Sequence, residues 1–170
     1  FNQSHGFDVL IYFASNHNVV PVQFATVEDA DEGIHSAATI NASPEAIWQI
    51  LTDAPAYPDW EPGTIRVEGR VALGEKIKIF TKLSQIALLV KVAEFEPEQR
   101  MTWVGGMPMG LLKGVHTFTL RLEMTAHQFS MQEVFTGPLL PLYGRTIPDL
   151  NPSFEQFASS LKELAERSHG

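Results

Sequence analysis

Two residues that could carry chemistry, His116 and Glu133, fall in neighbouring segments that both alternate like β-strands. In residues 112–122, Lys113 and Arg121 are expected to face water, so the residues of opposite parity face inward. That inward set comprises Gly114, His116, Phe118, Leu120 and Leu122. In residues 128–136 the apolar set is Phe129, Met131 and Phe135, and its parity carries Glu133 inward. An imidazole and a carboxylate are therefore predicted on one apolar face.

The turn between these two strands sets how close the pair comes. A four-residue turn at Met124–His127 pairs Leu122 with Phe129, and it therefore pairs Phe118 with Glu133. Both inward sets then lie on the same face, as the register of a half-buried hairpin requires. In this register the histidine and the glutamate are diagonal neighbours, within reach for long side chains.

A carboxylate beside an imidazole in an apolar site is consistent with three roles. The two groups can satisfy each other, hydrogen-bond a polar group of a ligand, or act as a general acid/base pair. We favour pairing or recognition over catalysis, because no nucleophile, metal-ligand spacing or phosphate-binding loop accompanies them. Ser43 has the sequence of a helix N-cap and lacks the glycines of a nucleophile elbow. We therefore predict neither a metal nor a cofactor, and a non-enzymatic role is the favoured one.

The rest of the chain predicts the elements that position the pair. Ser43 and Pro44 begin a short helix, since proline is favoured at the first helical position. Strands are predicted at residues 34–41, 64–71, 76–83, 86–95, 100–105, 112–122 and 128–136. Asn151 is expected to cap a last helix. Its apolar stripe is Phe154, Phe157, Ala158, Leu161, Leu164 and Ala165.

This order of elements favours an α+β fold in which a curved antiparallel sheet grips the terminal helix. A cavity between sheet and helix would suit a small hydrophobic molecule. Its predicted lining is Ile77, Ile79, Leu88, Val90, Trp103, His116, Phe118, Met131, Glu133, Phe154 and Phe157. A groove that receives a protein partner instead is a further possibility.

Composition limits the other classes of function. A net charge of −8 argues against a nucleic-acid partner, which would require a clustered basic face. No apolar run approaches the roughly 20 residues that span a bilayer, so no integral membrane segment is predicted. The absence of cysteine suits a reducing compartment, and we predict a cytoplasmic location. The oligomeric state stays open, and a dimer is possible.

The chain divides near residue 33. No lysine or arginine precedes Arg66, and Glu28–Glu32 reads as an acidic linker. We therefore predict an N-terminal extension over residues 1–33, either foreign to the natural protein or an extra hairpin. The ligand-binding domain is predicted to cover residues 34–170.

Over residues 34–168 the chain resembles the START-like, or SRPBCC, superfamily, and within it the polyketide cyclase/dehydrase and lipid transport group. The matching residues are Ser43-Pro44-Glu45, Trp48, Asp53, Tyr57-Pro58, Trp60, Gly74, Trp103, His116-Thr117-Phe118, Phe135-Thr136-Gly137 and Leu161-Lys162. These motifs are specific for a fold and unspecific for a function, because most of them cap helices, make turns or pack.

The resemblance implies a helix-grip fold with a seven-stranded antiparallel sheet, two short helices and a long C-terminal helix. It also implies a hydrophobic ligand, either a lipid or a polyketide-like molecule. The leading hypothesis is therefore a binding or carrier protein. The rival is a cyclase or dehydratase that acts on a polyketide-like or aromatic substrate, with His116 and Glu133 as its acid/base groups.

Overall fold

A computed structural model describes residues 33–82 and 87–168. Apart from Gly33, the predicted N-terminal extension lies outside this part of the chain. The strands are β1 Ile34–Ile40, β2 Thr64–Glu68, β3 Lys76–Thr81, β4 Leu88–Glu96, β5 Arg100–Gly106, β6 Lys113–Glu123 and β7 Ala126–Thr136. The α-helices are α1 Pro44–Thr52, α2 Tyr57–Trp60, α3 Leu140–Tyr143 and α4 Asn151–Arg167.

The seven strands form one antiparallel sheet in the order β1-β7-β6-β5-β4-β3-β2. The helix-grip architecture predicted from the sequence is therefore confirmed. The strand between Thr64 and Val71 is shorter than predicted. It ends at Glu68 because Gly69 turns the chain with a φ of 105°, a value that favours glycine.

The first helix follows the predicted capping. The Ser43 hydroxyl accepts a hydrogen bond from the Ala46 N–H at 3.2 Å, and Pro44 occupies the first turn. Ile47, Trp48 and Leu51 form the buried side of α1. The helix therefore packs its apolar side against the core while its start is held by a polar cap.

The terminal helix α4 buries the predicted stripe. Phe154, Phe157, Ala158, Leu161 and Ala165 are buried, and Leu164 packs against the same core from a partly buried position. The helix contacts β1, β7, α1 and α2. Its last turns are bonded directly to β1, an edge strand of the sheet, and to the residue that follows β1. Lys162 Nζ donates to the Thr39 carbonyl at 2.7 Å, and a Glu166 carboxylate oxygen accepts from the Asn41 N–H at 2.8 Å.

The predicted register of the last hairpin is wrong by two residues. The strands run to Glu123 and from Ala126, so Met124 and Thr125 alone form the turn, with Met124 at a φ of 54°. Glu133 therefore pairs with His116 and not with Phe118. Because the error is even, the inward parity of both strands is preserved.

Two further details differ from the sequence prediction. Leu122 was placed inward but is 68% exposed, because it lies in the part of the hairpin that projects beyond the core. Asn151 was expected to cap α4, but the flanking residue is Leu150, and no side chain caps this helix. The Asn151 amide instead donates to Asp149 Oδ1 at 2.8 Å.

Candidate functional site

The site is organised around a hydrogen bond between two directly paired strand residues. His116 Nδ1 lies 2.7 Å from Glu133 Oε2, and the two side chains are only 18% and 13% exposed. An ionised carboxylate only accepts hydrogen bonds, so it favours the tautomer with the proton on Nδ1. In the neutral ring this leaves Nε2 as a free acceptor, whereas in the protonated ring Nε2 becomes a donor.

A glycine makes room for the carboxylate. Gly114 lies on β6 two residues before the histidine, on the same face. A Cβ at Gly114 would lie 2.6 Å from Glu133 Oε1 and 3.2 Å from Phe135 Cε1. The absence of a side chain at this position therefore lets the carboxylate lie against the strand while it holds the imidazole.

Aromatic rings enclose the imidazole. The centroid of the His116 ring lies 4.4 Å from that of Phe118, 5.1 Å from that of Phe154 and 6.2 Å from that of Trp103. Phe118 belongs to the same strand, Phe154 to the first turn of α4, and Trp103 to the directly paired position on β5. The polar pair is thus set into a wall of aromatic side chains from the sheet and the terminal helix.

Two nitrogen atoms in this wall have no hydrogen-bond partner. Within residues 33–82 and 87–168, His116 Nε2 and Trp103 Nε1 are buried and unbonded. Trp60 Nε1 is in the same state, and its ring packs edge-on to Phe157 at 5.0 Å. An unsatisfied buried polar group costs roughly 1–3 kcal/mol, so such atoms call for an explanation.

The predicted lining residues lie together on the concave side of the sheet. Ile77, Val90, Trp103, Phe118, Met131, Phe154 and Phe157 are buried in the core, and Ile79 and Leu88 pack partly buried against it. His116 and Glu133 complete the set. Their role as a ligand site stays a prediction, because their side chains also fill the interior between sheet and helix.

Two hollows, each of about 290 Å³, occur on the described part of the protein. The first is polar and lies on the outer face of β1, β6 and β7, where Thr117, Thr119 and Ser130 are among its lining residues. The second lies beside the loop that joins β5 to β6. Neither of these two hollows lies between the sheet and α4.

Tyr57 shows how closely this interior is packed. Its hydroxyl donates to the Leu51 carbonyl at 2.8 Å, and burial, followed by the negative charge of Glu61, raises the pKa of Tyr57 far above its usual range. Glu61 is buried, and its carboxylate accepts a hydrogen bond from the Gly63 N–H at 3.0 Å. Both residues therefore serve the structure of the α2 turn.

Gly114 and the unbonded Trp103 nitrogen were not recognised from the sequence. An isolated glycine at an inward strand position does indicate a close approach of another group, and that signal was present. The tryptophan gave no comparable signal, because only the packed structure shows whether an indole N–H finds a partner.

Within the described ranges, no cluster of three His, Asp or Glu side chains could hold a metal ion. No helix of the same part of the chain is both long and apolar enough to cross a bilayer.

The family model for polyketide cyclase/dehydrase and lipid transport proteins matches residues 32–166. The chain belongs to this family. The match covers the sheet, the short helices and all of α4 but its last residue, so the resemblance noted from the sequence is confirmed. Among the curated proteins, none is similar enough in sequence to count as a match.

Solved structures share the fold at low sequence identity. Protein MLL2253 from Mesorhizobium loti is 21% identical, with a TM-score of 0.62 over 79% of this chain and 97% of that one. The Zhui aromatase/cyclase from Streptomyces sp. R1128 is 15% identical, with a TM-score of 0.60 over 81% and 94%. A START superfamily protein from Mycobacterium smegmatis is also 15% identical, with a TM-score of 0.54 over 79% and 97%. At these identities the likeness shows the fold alone.

Proposed function

We propose that the protein binds a hydrophobic small molecule, a lipid or a polyketide-like compound, between the concave face of the sheet and α4. The observation that supports this most directly is the pair of buried, unbonded nitrogen atoms on Trp103 and His116. They occupy directly paired strand positions in an otherwise apolar wall. A ligand group that bonds to them would recover the free energy that their desolvation costs.

The chemistry of the two atoms limits the ligand. An indole N–H is a donor only, and the neutral imidazole offers an acceptor at Nε2 because Glu133 holds the other nitrogen. A hydroxyl group serves both types of partner, since it accepts from the indole and donates to the imidazole. We therefore propose a largely apolar ligand that carries at least one hydroxyl group, with Glu133 as the residue that orients the imidazole.

Access to this site is expected to involve movement of the terminal helix. The rings of Phe154 and Phe157 fill the space over the sheet, and Phe157 stacks on Phe129 at 6.1 Å. A bound apolar ligand replaces these contacts with its own, so little burial of apolar surface is lost overall. The ligand is therefore expected to displace Phe154 first, because this residue lies directly beside the imidazole.

Native mass spectrometry of the protein from its own host tests the proposal, because it detects any molecule that the protein retains. That molecule is then identified and titrated into purified variants. Trp103→Phe keeps the ring but removes the donor, and loss of one hydrogen bond corresponds to roughly five-fold weaker binding. Glu133→Gln and His116→Ala are expected to weaken binding as well. Trp48→Phe and His127→Ala are matched controls, because both residues lie elsewhere in the fold and are expected to leave affinity unchanged. Equal affinity for Trp103→Phe and the natural protein would remove the support for this site.

A second function is favoured by the short contact between His116 and Glu133. Glu133 holds the His116 ring through Nδ1 and leaves Nε2 free. An imidazole oriented in this way can accept a proton from a substrate at Nε2 and return it, as a cyclase or dehydratase requires. In that case His116→Ala and Glu133→Gln reduce turnover far more than affinity. If no turnover of the retained molecule occurs and only affinity changes, the pair recognises the ligand and does not catalyse.

A further inference from the structure

Three lysines on the outer face of the sheet line the second hollow. Lys76 and Lys91 are directly paired on β3 and β4, and Lys113 begins β6 beside the loop after β5. Like charges at directly opposed positions destabilise a strand pair. Stability of the sheet therefore does not explain why Lys76 and Lys91 face each other.

No carboxylate of the described chain neutralises these lysines. The ion pairs that the structure contains involve other basic residues, and Glu75, next to Lys76, is paired with Arg70 at 3.2 Å. All three lysines are exposed. A protein with a net charge of −8 thus keeps a compact basic patch free for an external anion.

The same patch carries exposed apolar side chains. Leu89 lines the hollow and is 45% exposed. Met109 is 92% exposed and lies in the loop between β5 and β6, whose Met107 and Gly110 line the same hollow. Met109 has a φ of 57°, a conformation that is unfavourable for a residue other than glycine. The loop is held in place, since the Met107 N–H donates to the Leu112 carbonyl at 2.7 Å. The backbone thus holds an exposed methionine in the loop that borders the hollow.

We propose that this surface docks the protein on an anionic lipid bilayer. The three lysines would lie against the headgroups, and Met109 would enter the interface. An acidic protein segment, including residues 28–32 of this chain, would neutralise the lysines but leave the methionine in water. A bilayer of anionic lipid offers negative charge to the lysines and an apolar environment to the methionine. This inference does not depend on the ligand proposed above.

Vesicle flotation with the full chain tests the proposal. The protein is expected to float with phosphatidylcholine vesicles that contain about one-third phosphatidylserine, and not with vesicles of phosphatidylcholine alone. Each lysine near the surface contributes about five-fold to the partition coefficient, so K76Q/K91Q/K113Q is expected to bind roughly 100-fold more weakly. Met109→Ser weakens binding several-fold, and added salt weakens it further because it screens the lysines.

The matched control is R100Q/R121Q/R167Q, which changes the net charge equally at sites outside the patch. If this control weakens binding as much as the lysine variant does, net charge and not the patch is responsible, and the proposal fails. It also fails if the natural chain stays in solution with both kinds of vesicle, which would favour a protein partner. All six substituted residues are exposed, and unfolding curves of both variants verify that the fold is intact.

Discussion

Gly114→Ala offers a direct test of the geometry around the polar pair. The added Cβ would lie 2.6 Å from Glu133 Oε1, closer than such atoms approach, so the carboxylate must move away from its 2.7 Å contact with His116. Loss of a hydrogen bond to a charged group costs about 1.5–3 kcal/mol. The alanine also restricts the unfolded chain, which stabilises the protein by about 0.4–1 kcal/mol. The net expected loss in the free energy of unfolding is about 1–2 kcal/mol.

Urea denaturation followed by tryptophan fluorescence measures this loss, provided that the slope of the transition is unchanged. The same substitution in a Glu133→Ala background supplies the control, because the carboxylate that it displaces is then absent. There the alanine is expected to be neutral or stabilising. An equal loss in both backgrounds would refute the reasoning and would assign the strain to Phe135, whose Cε1 would lie 3.2 Å from the new Cβ.

Three further predictions follow from the terminal helix and the chain start. Leu161→Ala is expected to lower the free energy of unfolding by about 2–5 kcal/mol in chemical denaturation, because the side chain is fully buried. A loss near zero would show that this face of α4 does not point into the core. The pKa of Glu166 lies below its usual value, mainly because its carboxylate accepts from the Asn41 N–H and also pairs with Lys162. Its contribution to stability is therefore present above its ordinary pKa of 4.5 and lost as the pH falls through the lower folded value. Unfolding curves of Glu166→Gln and the natural chain should converge in acid, and a gap that persists there would contradict this. A chain that begins at Asp31 is expected to stay folded and keep its ligand affinity, and aggregation on truncation would show that the first 30 residues complete the domain.

Most of the architecture could be predicted from local chemistry. The cap at Ser43, the stripe from Phe154 to Ala165 and the inward parity of the last hairpin depend on residue type and spacing, which the sequence contains directly. The register of that hairpin could not be predicted, because Met124-Thr125 lacks the glycine or asparagine that usually marks a two-residue turn. The prediction that Asn151 caps α4 was also wrong, since its side-chain amide donates to Asp149 instead.

The candidate site was predicted in part. Parity alone placed His116 and Glu133 on one face, and the shorter turn brings them into direct contact. Whether space remains over the sheet depends on how the aromatic rings of Trp103, Phe118 and Phe154 pack together. That packing is a tertiary property, and no local pattern in the sequence determines it.

Two hydrogen bonds join α4 to the end of β1 and to the residue that follows it, and both lie in the second half of the helix. Lys162 and Glu166 attach its last turns to backbone atoms of residues 39 and 41, whereas its first turns meet the sheet through the rings of Phe154 and Phe157. We therefore expect the N-terminal end of α4 to separate from the sheet before its C-terminal end does. Hydrogen exchange is then expected to be faster at residues 154–157 than at residues 161–165, and the reverse order would contradict this expectation.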